Sequence, residues 1–260
     1  MDLGLQGQRV LITGASKGIG AGTAQAFARE GCHLRLAARS AEGLEEVKQA
    51  ILAEHDVEVD LHPFDLSVSG NLATLSEASA NIDILINNAG DIPAGSLDMV
   101  EEDAWRRGWD LKVFGYINLT RLIYRRLKQR GHGVIVNDIG NAGERFDFDY
   151  IAGSTGNASL MAFTRALGGR SLDDGIRVVG VNPGMVQTER MTKLLKARAK
   201  KLFDDEGRYP ELLDRYPLRR GATVEEVADL MLFLASPRSS YTSGCIVTLD
   251  GGVSTRHSIV

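Results

Sequence analysis

The chain has 260 residues, of which 43% are hydrophobic and 25% are charged, and its formal net charge is −4. This length and composition predict a single α/β domain spanning residues 1–260 and argue against a disordered or membrane-embedded protein. The slightly acidic balance gives no reason to expect nucleic acid as a partner. Only two cysteines are present, and the N-terminal residues do not resemble a signal peptide, so we expect a reduced, cytoplasmic setting. The histidine and cysteine spacings predict no metal site.

Short apolar runs alternate with helical patterns along the whole chain. Strands are predicted at 9–13, 33–37, 58–64, 82–87, 133–139, 177–182 and 245–249. Helical patterns cover 24–29, 41–55, 101–130, 151–172 and 223–235, the last beginning with a capping box from Thr223 to Glu226. This alternation predicts a Rossmann-type doubly wound, seven-stranded parallel sheet with helices on both faces. The irregular segment 187–221 is expected to form helices outside the sheet and to act as a substrate lid.

A glycine-rich turn joins the first predicted strand to the first helix. Gly14 permits a tight turn, Gly18 lets the backbone approach phosphates, and Gly20 lets the helix pack close to the strand. The helix start then offers free N–H groups and a partial positive charge to a dinucleotide pyrophosphate. The pattern TGxxxGxG resembles the short-chain dehydrogenase/reductase family rather than the GxGxxG of larger dehydrogenases.

Further motifs strengthen this resemblance, which runs from about residue 7 to 252. They are Asp65 after the third strand, NNAG at 87–90, Asn182-Pro183-Gly184 followed by Thr188, and SG with DGG near the C-terminus. The resemblance implies that Asp65 bonds adenine and that Thr188 holds the nicotinamide carboxamide. The cofactor-binding residues it implies are Gly14, Ser16, Lys17, Gly18, Ile19, Gly20, Arg39, Ser40, Asp65, Leu66, Asn88, Ala89, Gly90, Tyr150, Pro183, Gly184, Val186 and Thr188.

The end of the second strand bears on cofactor choice. A carboxylate there would bond a free adenosine ribose, but this chain has Ala38 followed by Arg39. Arginine is a bidentate phosphate donor, and Lys17 and Ser40 add further donors. We therefore favour NADP(H). If Arg39 and Lys17 are only solvated surface charges, a neutral pocket would accept NAD(H) instead.

The reaction centre departs from the family pattern. Members usually carry YxxxK on the helix after strand five, with a Ser at the end of that strand and an Asn in the preceding long helix. Tyr150 fits the tyrosine, but Ser154 stands four residues later, Gly140 takes the serine position, and Lys112 takes the asparagine position.

A tyrosine without a nearby cation is a poor base at neutral pH. Lowering a phenol pKa from about 10 to about 7 requires roughly 4 kcal/mol, which one cation about 4 Å away supplies at an effective dielectric near 20. We therefore expect Lys112 to extend into the space that the small Ser154 leaves open. Alternatively, Lys112 is a structural lysine paired with Asp110 or Asp138.

Asn141 is our first candidate to replace the missing serine as a donor to the substrate oxygen, although an Asn after Gly is often a turn residue. Ser154 and Asn137 are further candidates for this role. The function predicted is an NADP(H)-dependent oxidoreductase that interconverts a secondary alcohol and a ketone, with a small-molecule substrate and a homotetrameric or homodimeric assembly. Small residues on the 151–172 helix, including Gly153, Gly156 and Ala162, suit close helix contact. There are two alternatives. One is a non-catalytic dinucleotide-binding sensor or scaffold, and the other is a family member that catalyses a different reaction, such as dehydration.

Overall fold

A computed structural model describes residues 1–256 and contains one seven-stranded sheet. The strands are β1 (Arg9–Thr13), β2 (His33–Ala38), β3 (Val59–Pro63), β4 (Ile84–Asn87), β5 (Gly133–Asp138), β6 (Ile176–Pro183) and β7 (Ile246–Leu249). All pair in parallel, in the order β3-β2-β1-β4-β5-β6-β7. The predicted doubly wound sheet is confirmed, and each predicted strand end lies within two residues of the observed one.

Eight α-helices are described. They are α1 (Gly18–Arg29), α2 (Ala41–Glu54), α3 (Ser69–Ala78), α4 (Glu102–Trp109), α5 (Gly115–Arg130), α6 (Ile151–Gly168), α7 (Glu189–Phe203) and α8 (Val224–Ala235). The capping box at the start of α8 is confirmed, with both reciprocal bonds between Thr223 and Glu226. Among these helices, none combines the length and the apolar character needed to cross a membrane.

Three helical predictions differ from the structure. The long helix 101–130 is divided into α4, a π-helical turn (Asp110–Phe114) and α5. The helix predicted at 151–172 ends at Gly168, after which Ser171–Asp174 forms a separate 3-10 turn. Helix α3 was not predicted, because it contains Gly70 and buries only Leu72, Leu75 and Ser76, which leaves a weak apolar pattern.

Alternate residues of the strands pack on opposite faces of the sheet, as the two-residue period of a strand requires. On one face, Val10, Ile12 and their neighbours pack with α1, α2 and α8. On the other face, Leu11, Leu85 and Ile135 pack with α3 and α5. The chain thereby covers both faces, and the carboxyl ends of the strands form one edge of the sheet. Since the strand order reverses between β1 and β4, a ligand crevice is expected at that edge.

Candidate active site

The glycine-rich turn has the geometry of an anion cradle. Gly14 has a φ of +68°, which favours glycine, and a Cβ there would lie 2.9 Å from the Cα of Ala89. A Cβ on Gly20 would overlap the carbonyl oxygen of Gly14, so α1 could not approach the strand so closely with any other residue. The N-terminus of α1 has no side-chain cap. Its free N–H groups are therefore available to an anion such as a pyrophosphate.

A cleft of about 820 Å³ opens at the carboxyl edge of the sheet, beside this turn. Its walls contain Gly14, Ser16, Lys17, Gly18, Ile19, Arg39, Ser40, Leu66, Asn88, Ala89, Gly90, Lys112 and Thr188, all of which the sequence singled out. The structure thus brings most of the predicted cofactor residues into one cleft of a size suited to a dinucleotide.

Other predicted residues lie near the cleft without lining it. Gly20, Asp65, Tyr150, Pro183, Gly184 and Val186 are absent from its walls. The carboxylate of Asp65 accepts hydrogen bonds from the backbone N–H of Ser67 (2.9 Å) and from its hydroxyl (2.7 Å). These bonds hold the pKa of Asp65 below its usual value. One oxygen of the Asp65 carboxylate is therefore hydrogen-bonded within its own loop.

Asp91 and Arg190 are among the charged residues of the cleft that were not predicted from the sequence. Asp91 forms ion pairs with both Arg39 (3.4 Å) and Arg190 (3.7 Å). Arg190 also donates a hydrogen bond to the carbonyl oxygen of Ile92 at 3.3 Å. Their positions offered a signal, because Asp91 follows the NNAG motif directly and Arg190 comes two residues after Thr188.

Tyr150 lies at the start of α6, where it is the N-cap residue and has non-helical dihedrals. Its ring covers Gly153, and a Cβ on that glycine would overlap the ring. The ring also packs against a small apolar cluster that contains Ile92 and Ala152. Burial raises the pKa of the Tyr150 phenol, while the positive charge of Arg190 lowers it and Asp91 raises it. The phenol is therefore mainly protonated at neutral pH.

Lys112 lies in the π-helical turn, and its ammonium is bonded to the backbone rather than to Tyr150. Its ammonium donates a 2.6 Å hydrogen bond to the carbonyl oxygen of Ile139, and its alkyl chain passes over Gly90. Burial lowers the pKa of Lys112, while the carboxylate of Asp138 raises it. The charges that shift the pKa of Tyr150 are those of Arg190 and Asp91. Arg190 is therefore the positive charge that lowers the pKa of the phenol, but burial outweighs it and the Tyr150 pKa is raised overall, not lowered as the sequence analysis expected.

Asp138 lines the cleft beside Lys112, although only 7% of it is exposed. Burial raises the pKa of its carboxyl group to about 6, against the opposite effect of Lys112. This agrees with the alternative reading in which Asp138 is the partner charge of Lys112.

The side chains of Asn141 and Ser154 are bonded within the protein. The amide of Asn141 donates to Asp250 (3.2 Å) and to the hydroxyl of Ser254 (3.3 Å). The hydroxyl of Ser154 accepts a 3.1 Å bond from the backbone N–H of Asp147. Ser154 is buried, and its hydroxyl is bonded to the loop before α6.

Asn157 was missed by the sequence analysis. Its amide nitrogen donates to the carbonyl oxygen of Gly140 at 3.2 Å, and a Cβ on Gly140 would lie 3.0 Å from that nitrogen. Gly153 and Asn157 are four residues apart within α6, so they share one face of the helix. The bond from Asn157 to Gly140 brings this face of α6 against the chain just after β5, and Gly153 on the same face lies under the Tyr150 ring. The signal available was an interior helix glycine, which is unfavourable unless packing requires it.

The parallel sheet, the glycine cradle and the cleft at the reversal of strand order define a dinucleotide-binding protein of the Rossmann type. Residues 14–254 match the family model described as enoyl-(acyl carrier protein) reductase. Oxidoreductase UcpA of Salmonella typhimurium is 35% identical over 263 residues, covering 98% of this chain and 97% of that protein. Galactitol 2-dehydrogenase (L-tagatose-forming) of Cereibacter sphaeroides is 32% identical, covering 95% of each chain.

Solved structures agree with the sequence matches. L-sorbose reductase from Gluconobacter frateurii, in complex with NADPH and L-sorbose, superposes with a TM-score of 0.92 at 29% identity, covering 99% of this chain and 100% of that one. A protein described as a short chain dehydrogenase/reductase family protein superposes with a TM-score of 0.83 at 30% identity, covering 98% and 100%. The chain belongs to the short-chain dehydrogenase/reductase family of oxidoreductases.

Proposed function

We propose that this chain is an NADP(H)-dependent oxidoreductase that interconverts a secondary alcohol and a ketone, with Tyr150 as the general acid and base. The observation that carries the proposal is the position of the Tyr150 ring over Gly153, under the influence of Arg190, which itself lines the cleft. A phenol beside a dinucleotide cleft is the group that proton transfer to a substrate oxygen requires.

The residues of the cleft fit a nicotinamide dinucleotide. The uncapped start of α1 suits its pyrophosphate, and Arg39, Lys17 and Ser40 suit a 2′-phosphate. When bound, the nicotinamide supplies the hydride that the side chains lack. The NADPH bound to L-sorbose reductase supports this choice, whereas a 7α-hydroxysteroid dehydrogenase, 26% identical, is described in complex with NADH. NAD(H) is therefore the alternative cofactor.

The protonation state of Tyr150 favours carbonyl reduction. Because burial raises its pKa, the phenol holds its proton at neutral pH and can donate it to a developing alkoxide. In the opposite direction it must first lose that proton, which the positive charge of Arg190 assists. Thr188, the N-cap of α7, lines the cleft, and the proposal gives it the role of orienting the nicotinamide end.

A second candidate function is a dinucleotide-binding protein without turnover. The side chains of Asn141 and Ser154 favour it, because both are bonded within the protein. Under the enzyme proposal, Asn141 must exchange its bonds to Asp250 and Ser254 for a bond to the substrate oxygen.

The substrate proposed is a small molecule, and the assembly proposed is a homotetramer or homodimer. Of the small residues on α6, Gly153 and Gly156 are buried within the chain, so they serve its own packing. Ala162 and Ala166 are exposed and remain available for a helix contact between subunits.

Phe146 and Phe148, 75% and 72% exposed, lie on the loop before Tyr150 and suit an apolar part of the substrate.

The test is a panel of ketones assayed by the loss of NADPH absorbance, on the wild type and on Tyr150→Phe. We expect the wild type to reduce at least one class of ketone and the variant to lose at least about 100-fold in kcat, with unchanged NADPH affinity. Tight NADPH binding without turnover on any ketone would favour the second candidate. Equal turnover by the variant would remove Tyr150 from the mechanism.

A further inference from the structure

Arg190 is a positively charged residue of the cleft that has hydrogen-bond donors to spare. A guanidinium carries five N–H groups, and within residues 1–256 the only hydrogen bond from this side chain goes to the carbonyl oxygen of Ile92, at 3.3 Å. Its Nη1 lies 3.7 Å from the carboxylate of Asp91, which is an ion pair but not a hydrogen bond. Both side chains of this pair are more than half exposed, so the pair contributes little to stability. The guanidinium is therefore free to bind a further carboxylate.

The other cations of the cleft walls, among the residues that the structure describes, already have a partner or a proposed role. Lys17 and Arg39 are proposed to bind the phosphates of the cofactor. Lys112 is bonded to a backbone carbonyl, and Lys193 forms an ion pair within α7. Arg190 is therefore the lining cation that remains for an anion other than the cofactor.

One short segment, 91–95, connects Arg190 to Tyr150. Arg190 donates to Ile92 near one end of this segment, and Gly95 at the other end forms a parallel bridge with Tyr150. Three residues span at most about 11 Å, and the side chain of Ile92 belongs to the apolar cluster against which the Tyr150 ring packs. The positive charge of Arg190 also opposes the rise in the pKa of Tyr150, which agrees with this proximity. An anionic group of a small substrate could therefore reach Arg190 while its ketone meets the phenol.

We infer that the substrate is an oxo acid, a ketone that also carries a carboxylate, and that Arg190 binds this carboxylate in place of Asp91. The inference rests on the proposed function. The ketone carbon gains a hydride from the reduced cofactor and the ketone oxygen gains the proton of Tyr150, so the ketone becomes an alcohol, the cofactor is oxidised and the carboxylate is unchanged.

Two properties of the site favour a carboxylate over other anions. Asp91 shows that a carboxylate can approach Arg190 at the wall of the cleft, and the planar fork of a guanidinium matches the two oxygens of a carboxylate. Asp91 is also a like charge beside the site, and it repels a doubly charged phosphate more than a singly charged carboxylate.

The experiment compares each acid with its uncharged counterpart. The probes are the straight-chain six-carbon oxo acids with the ketone at carbon 2, 3, 4 or 5, and the primary amide of each, assayed with the full chain by the loss of NADPH absorbance. Because acid and amide share the carbon chain and the ketone position, the ratio of their kcat/KM values reports the contribution of the carboxylate. We expect at least one acid to be preferred over its amide by about 10-fold or more. No preference at any ketone position would overturn the inference.

Substitutions of Arg190 test the residue itself. Arg190→Met should reduce the preference for the acid to about twofold or less, since the guanidinium is lost. Its effect on the pKa of Tyr150 cancels in the ratio, because acid and amide use the same phenol. Arg190→Gln, which can still donate to Ile92, should lose the preference as well, whereas Arg190→Lys should keep part of it. A preference that survives in both Arg190→Met and Arg190→Gln would overturn the inference.

The matched control is Arg198→Met. Arg198 is an exposed arginine of the same helix, α7, and it does not line the cleft. This variant should keep the preference of the wild type. An equal loss of preference in Arg198→Met would show that the net charge of α7, and not a carboxylate site at Arg190, selects the acid.

The substitution Asp91→Asn tests the exchange of carboxylates. Removal of the competing negative charge should strengthen the preference for the acid by about threefold, mainly through a lower KM. A weaker preference would overturn the view that the substrate takes the place of Asp91. Hydroxyacetone phosphate is assayed beside the acids, and Arg190-dependent reduction of this ketone above that of every acid would identify the anion as a phosphate instead.

Binding measurements separate this inference from the proposed function. Calorimetry should give Arg190→Met the NADPH affinity of the wild type, and a loss of about 10-fold or more would assign Arg190 to the cofactor and overturn the inference. Each acid is also titrated into the protein saturated with NADP+, where ketone reduction cannot occur. If the wild type reduces no ketone but binds an acid that Arg190→Met does not bind, the proposed function fails and the carboxylate site stands. If acids and amides are reduced equally well, the proposed function stands and the carboxylate site fails.

Discussion

The substitution Gly153→Ala tests the position of Tyr150 without touching the tyrosine itself. The added Cβ would lie 2.6 Å from the Cδ1 of Tyr150 and would overlap the next two ring atoms. Since carbon atoms in contact are about 3.5–4.0 Å apart, the ring must move by roughly 1 Å or more. A displacement of this size in a reacting group costs about 100-fold in rate.

The same substitution should not weaken the fold. Alanine in a helix interior is more favourable than glycine by about 0.5–1 kcal/mol, and this gain offsets the packing that the displaced Tyr150 ring loses against Ile92 and Ala152. We therefore expect kcat for ketone reduction to fall about 100-fold while the melting temperature is unchanged or slightly higher.

The assay follows NADPH absorbance, with thermal unfolding measured on the same samples. Gly70→Ala is the matched control, because Gly70 lies within α3 and a Cβ there meets no atom within 4 Å. That variant should keep full activity and gain stability. Activity of Gly153→Ala within twofold of the wild type would refute the view that the ring must lie over residue 153.

Four further predictions follow from the charges of the structure. Arg39→Met should weaken NADPH binding at least 10-fold and leave NADH binding nearly unchanged, as measured by calorimetry; an equal loss for both cofactors would contradict a 2′-phosphate site. Arg190→Met should move the alkaline limb of alcohol oxidation to higher pH, because Arg190 lowers the pKa of Tyr150, and Arg190→Lys should restore part of the shift; identical pH profiles would contradict it. The pKa of Asp138 is raised to about 6 by burial, so the native state binds more protons than the unfolded state between about pH 4 and pH 6. Stability from this group is therefore lost as pH rises through that window, so the melting temperature of Asp138→Asn relative to the wild type should be higher at pH 7 than at pH 4; the same difference at both pH values would contradict the assignment. Arg177→Met should lower the melting temperature by roughly 5–10 °C with unchanged NADPH affinity, because its buried guanidinium donates to three carbonyl groups at the end of α8; a fall of less than 1 °C would show that water replaces those bonds.

Most of the sheet and the cofactor end of the site could be predicted from the sequence. Parallel strands buried on both faces appear as continuous apolar runs, and this pattern located all seven strands. The glycine turn was equally clear, because Gly14 and Gly20 are fixed by backbone geometry that no other residue satisfies. Features that depend on local backbone requirements can therefore be predicted from a single sequence.

The reaction end could not be predicted to the same degree, for a reason of helix phase. The spacing of Tyr150 and Ser154 suggests a shared face, but residues four apart share a face only when both are helical. Tyr150 has φ of −140° and ψ of 42°, so the four-residue relation fails at that point. The two residues that are four apart and both helical are Gly153 and Asn157. Neither glycine nor asparagine is a residue type that indicates a catalytic role.

The charges that distant segments of the chain bring to the site also could not be predicted from the sequence. Arg190 comes from the start of α7, about forty residues after Tyr150 in the chain, and its effect depends on how α7 packs beside the cleft. A lysine four residues from the tyrosine would belong to the same rigid helix. An arginine on a separate helix, held there by Asp91 and the carbonyl of Ile92, makes the pKa of the phenol depend on the placement of that helix. The acid strength of Tyr150 in this chain is therefore tied to the position of α7, whose first residues line the cofactor cleft.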